Sequence, residues 1–170
     1  MSYGNVQYVR KKYQDSETKM AGLYFDEFRV DQVFRHEIRR TVTEADNVWF
    51  CAATYNPAQI HIDADYCAKT EFGRPLMNSI FTLGLVIGLS VQDTTLGTTV
   101  ANLGMTDVKF PAPVFAGDTL NSVTTVLNVR ESASRPTQGI VTFRHDGYNQ
   151  RGELVATCLR QALMHKRPVQ

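Results

Sequence analysis

The sequence predicts one α+β domain in which an antiparallel sheet wraps around a buried helix. The segment "SIFTLGLVIGLSV", residues 79–91, is apolar on almost every side, yet it is far shorter than the roughly 20 residues that cross a bilayer. Stretches rich in Val, Thr, Ile and Phe follow it, separated by turn residues. Helices and strands are thus segregated along the chain instead of alternating, which is typical of an α+β fold.

The composition is that of a globular protein, and the overall charge does not favour binding to nucleic acid or to acidic lipid. The 170 residues suit one domain, with 43% hydrophobic residues, 21% charged residues and a net charge of +1. The scattered Cys51, Cys67 and Cys158 form neither a disulfide framework nor a zinc-binding spacing, so we expect a reducing, cytoplasmic location. The first residues lack an apolar signal core and no stretch is long enough to span a bilayer, so neither secretion nor membrane insertion is expected.

The chain begins with a polar segment that has mixed charges and no hydrophobic period. We interpret residues 1–20 as an N-terminal arm and residues 21–170 as the folded domain. Aromatic and apolar residues at irregular spacing then lead to a first strand, expected near residues 34–42.

Two helices are expected before the core helix. Thr43 is followed three residues later by Asp46, a capping-box pattern that predicts a helix through "NVWFCAAT" and ending before Pro57. A second short helix is expected over residues 62–73, with Gly73 as its C-cap.

The core helix carries Gly84 and Gly88 four residues apart on one face, which we interpret as a packing feature that lets a sheet approach closely. Strands are expected after it in "TTVANLGMTDVKF", "DTLNSVTTVLNVRES", "GIVTFRHDGYN" and "ELVATCLRQALMHKR". The intervening "APVFAGD", "SRPTQG" and "NQRG" have the composition of turns.

Four stretches resemble the MaoC-like dehydratase family, which has the hotdog fold. They are "RRTVTEAD" at residues 39–46, "TYNPAQIHIDADYCAKTEFGRP" at 54–75, "NSIFTLGL" at 78–85 and "FPAPVFAGDTL" at 110–120. The resemblance covers about residues 23–166 and implies a sheet wrapped around a long central helix. The family includes (R)-specific enoyl-CoA hydratases, so the resemblance implies an enzyme that adds water to a 2-enoyl-CoA thioester, with coenzyme A only as part of the substrate.

Two further stretches are similar to a subgroup that acts on methyl-branched or dicarboxylic acyl-CoA thioesters such as mesaconyl-CoA. These stretches are "TEFGRPLMN" at residues 70–78 and "VANLGM" at residues 100–105. If the substrate carries a free carboxylate, Arg74 is the expected partner, because arginine binds carboxylates through two parallel hydrogen bonds. The alternative for Arg74 is a solvated surface arginine.

Hydration of an enoyl thioester requires a base for water, a proton for the α-carbon and donors for the developing enolate oxygen. His61 follows a turn at Asn56 and Pro57, and we interpret it as the base; the alternative is a histidine that only bonds a loop carbonyl. The backbone N–H of Ser79, at the start of the core helix, is the expected oxyanion donor. Asn78 either caps this helix or contacts substrate.

The chain departs from the (R)-hydratase pattern, in which an aspartate lies five residues before the histidine. Asn56 occupies that place here and is counted among the catalytic candidates, because its amide can hold the water on which His61 acts. An amide is nevertheless neither a base nor a negative charge. Shifting the alignment by two residues places Thr54 there instead. Asp63, which we also count among the substrate-binding candidates, is two residues after His61 and would point to another face of a helix. A carboxylate from elsewhere, or weak catalysis, are the remaining alternatives.

The same residues leave two alternative functions open and contain several further candidate groups. A hotdog thioesterase and a non-catalytic acyl-CoA-binding protein are the alternative functions. The sequence has no phosphate-binding glycine loop and no metal-ligand spacing, so neither a metal nor a redox cofactor is expected. His36, His145 and His165 are interpreted as structural or exposed, and the cysteines as small apolar residues. The coenzyme A phosphates have four candidate partners, Lys109, Arg135, Arg144 and Lys166.

The expected assembly follows from the open edges of a wrapped sheet, which proteins usually pair or cover. The resemblance implies a homodimer with the active site at the subunit interface, or a dimer of dimers or trimer of dimers.

Overall fold

The computed structural model describes residues 22–168, so the predicted arm over residues 1–20 lies outside the described residues. A short 3₁₀ turn, Phe25–Glu27, precedes the first strand. The helices are α1 (Glu44–Ala53), α2 (Gln59–Ile62), α3 (Ala64–Cys67) and α4 (Ser79–Thr94). The strands are β1 (Val33–Arg35), β2 (Arg40–Thr41), β3 (Thr99–Lys109), β4 (Thr119–Glu131), β5 (Gln138–Tyr148) and β6 (Leu154–His165). Within residues 22–168, no helix has the length and apolarity needed to cross a membrane.

The strands form one antiparallel sheet in the order β1-β4-β5-β6-β3, with β2 also paired to β4. Helix α4 packs against β4, β5 and β6. The four strands predicted after the core helix are confirmed, and so is the α+β arrangement. Thr43 caps α1 as predicted, because its hydroxyl accepts a hydrogen bond from the Asp46 amide while the Asp46 carboxylate accepts one from the Thr43 amide.

The single first strand predicted over residues 34–42 is wrong, since the structure has two short strands, β1 and β2, in this region. Arg35 pairs with Val123 and Arg40 with Leu120. Four residues, 36–39, therefore lie opposite only two residues of β4, and the extra length must leave the ladder as a bulge.

The helix predicted over residues 62–73 is also wrong, because helical structure in this region is limited to two single turns, α2 and α3. Asp63 accepts a hydrogen bond from the Tyr66 amide and so caps α3. Gly73 has a φ of +66°, a value that favours glycine, but it closes a later turn by donating to the Thr70 carbonyl. It is six residues beyond the end of α3 and is not its C-cap.

Helix and sheet approach each other closely at a glycine, although not at either predicted glycine. A Cβ atom at Gly147 of β5 would overlap the Val86 side chain of α4, so the close approach depends on the sheet residue. A Cβ atom at Gly84 or Gly88 would meet nothing within 4 Å. The prediction that these two helix glycines let the sheet approach is therefore wrong.

Two surfaces of the described chain are left exposed, one on α4 and one on β3. On α4, Ile80 is 60% exposed and both Gly84 and Gly88 are exposed, so the helix is not wrapped on every side. Among the described residues, strand β3 pairs only with β6 and forms an edge of the sheet. Apolar side chains of β3 and the residue after it are also exposed, namely Leu103, Met105, Val108 and Phe110.

Two of the histidines are buried in a hydrogen-bonded row under the end of α4. His36 bonds Asp93 at 2.6 Å and Thr124 at 2.8 Å, and the Thr124 hydroxyl lies 3.0 Å from Nδ1 of His145. Burial, together with the charges of Arg160 and His36, lowers the pKa of His145 to about 3, so this ring is neutral. His165, at the end of β6, is exposed. The interpretation of these histidines as structural or exposed is confirmed.

Candidate active site

The candidate site is organised by Asn47, which the sequence analysis did not single out. Asn47 lies on the buried face of α1 and is 2% exposed. Its side-chain amide donates to the carbonyls of His61, at 2.7 Å, and Leu76, at 2.8 Å, and its oxygen accepts from the Asn78 amide at 2.8 Å. One side chain thus joins the first helix to the histidine segment and to the start of α4.

The His61 ring is held in one orientation by the segment that leads into α4. Nδ1 of His61 lies 2.9 Å from the carbonyl oxygen of Leu76. A carbonyl can only accept, so Nδ1 carries the proton, and in the neutral ring Nε2 keeps its lone pair. Within residues 22–168, Nε2 has no hydrogen-bonding partner. This nitrogen is therefore available to accept a proton from a ligand or a water.

His61 lines a cavity of about 200 Å³ together with Glu44, Arg74 and Met77. The guanidinium of Arg74 lies 4.0 Å from the centre of the Phe115 ring, a cation–π contact that limits its movement. No ion pair is recorded for Arg74 among the described residues. The structure thus places His61, whose Nε2 is unbonded, and Arg74, which forms no ion pair within residues 22–168, on the walls of one cavity.

A second cavity of about 240 Å³ lies at the start of α4 and is lined by Ser79, Thr82 and Phe110. Met77 lines both cavities, which makes them neighbours. Asn78 caps α4, because its side-chain oxygen accepts from the Ile80 amide at 2.9 Å. Among the described residues, no acceptor bonds the Ser79 amide, as expected in the first turn of a helix.

Not every candidate residue lies at the His61 cavity. Asn56 accepts a hydrogen bond from the Ala58 amide at 3.0 Å and lines an apolar groove, which adjoins the His61 cavity because Val48 and Ile62 line both. Asp63 binds the Tyr66 amide and the Gln59 side chain. Thr54 donates to the Phe50 carbonyl at 2.8 Å. None of these three residues lines the His61 cavity, so each is committed to a local turn or cap.

The four candidate cations for coenzyme A are dispersed. Lys109 ends β3, one residue before Phe110, which lines the second cavity. Arg144 pairs with Asp146, and Lys166 pairs with Glu131. Within residues 22–168, the Arg135 side chain bonds only Gln138, at 3.4 Å. Lys109 is therefore the candidate nearest along the chain to a residue of either cavity.

No group of three or more potential metal ligands occurs within the described part of the chain. All three cysteines are buried and free. Burial raises the pKa of the Cys67 and Cys158 thiols, which favours the uncharged form. They behave as small apolar residues, as the sequence predicts.

The chain is 32% identical over 149 residues to a mesaconyl-CoA hydratase of Cereibacter sphaeroides, covering 86% of this chain and 42% of the relative. It is 29% identical over 146 residues to a beta-methylmalyl-CoA dehydratase of Chloroflexus aurantiacus, covering 86% of this chain and 41% of that protein. The chain therefore spans less than half the length of these two curated relatives.

The fold is similar to that of a conserved Mycobacterium tuberculosis protein described as having a double hotdog fold. The TM-score is 0.79 at 25% identity, and the match covers 88% of this chain and 46% of that one. This chain therefore corresponds to one hotdog unit, and the predicted hotdog fold is confirmed. A model of the MaoC like domain matches residues 27–149, which include α1, the His61 cavity and α4. On this evidence the chain belongs to the MaoC-like domain family.

Proposed function

We propose that the chain is an acyl-CoA hydratase that adds water to a 2-enoyl-CoA thioester, or removes it in the reverse direction. The observation that carries the proposal is the His61 ring, whose Nδ1 is bound to the Leu76 carbonyl and whose Nε2 is free beside a cavity next to the start of α4. Relatives named hydratase and dehydratase support the same reaction class.

In the proposed reaction, Nε2 of His61 takes a proton from water while the water oxygen forms a bond to the β-carbon. The electrons of the carbon–carbon double bond move toward the thioester carbonyl, whose oxygen gains negative charge. The Ser79 amide, at the positive end of α4, stabilises this oxygen by donating a hydrogen bond. The imidazolium then returns its proton to the α-carbon, so no external acid is consumed.

A methyl-branched or dicarboxylic acyl group is the proposed substrate class. Arg74 lines the same cavity as His61 and has a fixed guanidinium without a carboxylate partner among residues 22–168. A free carboxylate on the acyl group would bind this guanidinium through a bidentate contact. The names of the two curated relatives, mesaconyl-CoA hydratase and beta-methylmalyl-CoA dehydratase, support this choice.

A second copy of the chain is the proposed partner. Strand β3 is an open edge, and the exposed face of α4 with Gly84 and Gly88 is also uncovered. The similar double hotdog protein has about twice the matched length, so one such unit can associate with another within a single chain. We propose that two copies of this chain form the equivalent pair, as a homodimer or as part of a dimer of dimers or trimer of dimers.

One assay tests the proposal against its alternatives. The chain is incubated with crotonyl-CoA and with mesaconyl-CoA, and enoyl absorbance and free thiol are followed together. Loss of the double bond without thiol release is the expected result. Thiol release would instead indicate the thioesterase, and no change in either signal would indicate the non-catalytic binder. A cytoplasmic location and a reaction without a separate cofactor remain predictions.

A further inference from the structure

The proposed hydratase site lacks the carboxylate that the resemblance places five residues before the histidine. Asn56 stands there, and it binds the Ala58 amide outside the His61 cavity. Asp63 is committed to Tyr66 and Gln59. A neutral histidine that becomes charged during proton transfer is stabilised by a nearby negative charge, so the source of that charge matters for the rate.

Resting on the proposed function, we propose that Glu44 is the missing carboxylate and binds the attacking water together with His61. Glu44 is the only carboxylate among the described residues that lines the His61 cavity. Glu44 lies in α1, before the loop that contains His61, so the sequence of that loop does not indicate it.

The position of Glu44 follows from the packing of α1. Glu44 is the first residue of α1, and Asn47 and Val48, three and four residues later, line the same cavity. Residues at this spacing share one face of a helix. The Asn47 side chain is 2.7 Å from the His61 carbonyl oxygen. Glu44 thus lies one helical turn from a residue that touches the backbone of the histidine.

The Glu44 carboxylate also has no bonding partner among the described residues. No hydrogen bond or ion pair ties it to another residue within 22–168. The other acid at this end of α1, Asp46, is held by Thr43 and by Arg40. Glu44 is thus the acid of this helix end that remains available to a ligand or a water in the cavity.

The proton balance is complete with these two groups. One O–H bond of the water breaks and its proton moves to Nε2 of His61, while the other O–H donates a hydrogen bond to the Glu44 carboxylate. The water oxygen bonds the β-carbon, and the proton on His61 passes to the α-carbon. Glu44 remains ionised throughout, where it orients the water and stabilises the transient imidazolium.

The test compares Glu44→Gln, Glu44→Ala and the control Glu37→Gln, which removes an exposed glutamate between β1 and β2. Hydration of crotonyl-CoA and mesaconyl-CoA is measured, together with the melting temperature of each variant. We expect Glu44→Gln to lower kcat about 10- to 100-fold with KM nearly unchanged, and Glu37→Gln to match the wild type.

Glu44→Ala is then assayed with added formate, a small carboxylate that can occupy the space left by the side chain. Recovery of kcat with formate, and not with formamide, is the expected result, because a loss caused by altered folding would not respond to a carboxylate. Wild-type kcat in Glu44→Gln, or a lost rate that formate does not recover, would overturn the assignment. A wild-type chain that hydrates neither thioester would instead overturn the proposed function, and this inference with it.

Discussion

The His61 ring donates a hydrogen bond from Nδ1 to the carbonyl oxygen of Leu76, 2.9 Å away, and Leu76 lies three residues before the start of α4. The same carbonyl also accepts from Asn47 at 2.8 Å. The orientation of the ring is therefore set by the same segment that presents the Ser79 amide. The proposed base is therefore bonded to a residue three positions before the proposed oxyanion donor, and no charged residue lies between those two positions.

Replacing His61 by glutamine should abolish most hydration without unfolding the chain. Glutamine keeps a donor for the Leu76 carbonyl but provides no nitrogen base, so kcat should fall by about 10²- to 10⁴-fold. Steady-state kinetics with crotonyl-CoA and mesaconyl-CoA measure the effect. The exposed His165 provides the control, and His165→Gln should leave kcat unchanged. Equal losses in both variants would contradict the role of His61.

Replacing Arg74 by alanine should lower kcat/KM for a dicarboxylic substrate much more than for a monocarboxylic one. A carboxylate bound by a guanidinium contributes about 1.5–3 kcal/mol, so kcat/KM for mesaconyl-CoA should fall about 10- to 100-fold while that for crotonyl-CoA changes little. Arg74→Lys should recover only part of the loss, because lysine lacks the planar fork and the stacking on Phe115. The exposed Arg39 serves as the control in Arg39→Ala. Equal losses on both thioesters would count against a carboxylate contact.

Replacing Asn47 by alanine should destabilise the fold around the candidate site. The change removes three hydrogen bonds at a residue that is 2% exposed and leaves carbonyls of His61 and Leu76 with fewer donors. The free energy of unfolding should fall by about 3 kcal/mol, measured by urea denaturation. Asn56→Ala, which loses one bond in a turn, should cost less than half as much. A smaller effect at Asn47 than at Asn56 would refute this account.

The sequence indicates the helix caps of α1 and α4, each made by residues close together in the chain. Thr43 and Asp46 form the predicted capping box within four residues, and capping of α4 is one of the two roles predicted for Asn78. Residues whose partners lie far along the chain were missed. Asn47 bonds groups 14, 29 and 31 residues away, and nothing in its own neighbourhood marks it as a structural centre. The one signal that could have indicated it is an asparagine directly before the apolar run "VWFCAA" of α1.

The wrong helix assignment and the wrong glycine assignment have different origins. The apolar and turn residues over 62–73 satisfy a helix pattern, yet Asp63 caps a single turn and the Thr70 hydroxyl bonds the Cys67 carbonyl, so side chains compete with helix continuation. Gly147 meets Val86 only because the sheet brings them together. A glycine's local sequence does not indicate which distant side chain it faces.

Asp118 should make the stability of the chain fall at acidic pH. Burial alone would raise the pKa of Asp118, but hydrogen bonds from Phe115, Gln150 and Arg151 outweigh it and hold the pKa below its usual value. The folded state then binds this proton less tightly than the unfolded chain does. The stabilising contribution is complete above the unfolded-state pKa of about 4 and is lost as the pH falls through the lower folded-state value.

The measurement is the free energy of unfolding between pH 3 and pH 7 for the wild type and Asp118→Asn. At pH 7 the variant should be less stable by about 2 kcal/mol, because the amide replaces charged hydrogen bonds by neutral ones. The difference should shrink as the pH falls below about 4. A difference that stays constant over this range would show that the charge of Asp118 does not stabilise the fold.

Substitutions at Gly147 and Gly88 should have different effects, the first on the stability of the fold and the second on dimer formation. A Cβ at Gly147 would overlap Val86, so Gly147→Ala should lower the free energy of unfolding by about 1–3 kcal/mol. A Cβ at Gly88 meets nothing within 4 Å in the single chain, so Gly88→Leu should leave the fold intact. If a second copy covers this face, the larger side chain should block association and shift the mass measured by light scattering from dimer to monomer. A Gly88→Leu variant that remains fully dimeric would exclude this face of α4 from the interface, and the open edge of β3 would then have to account for the dimer alone.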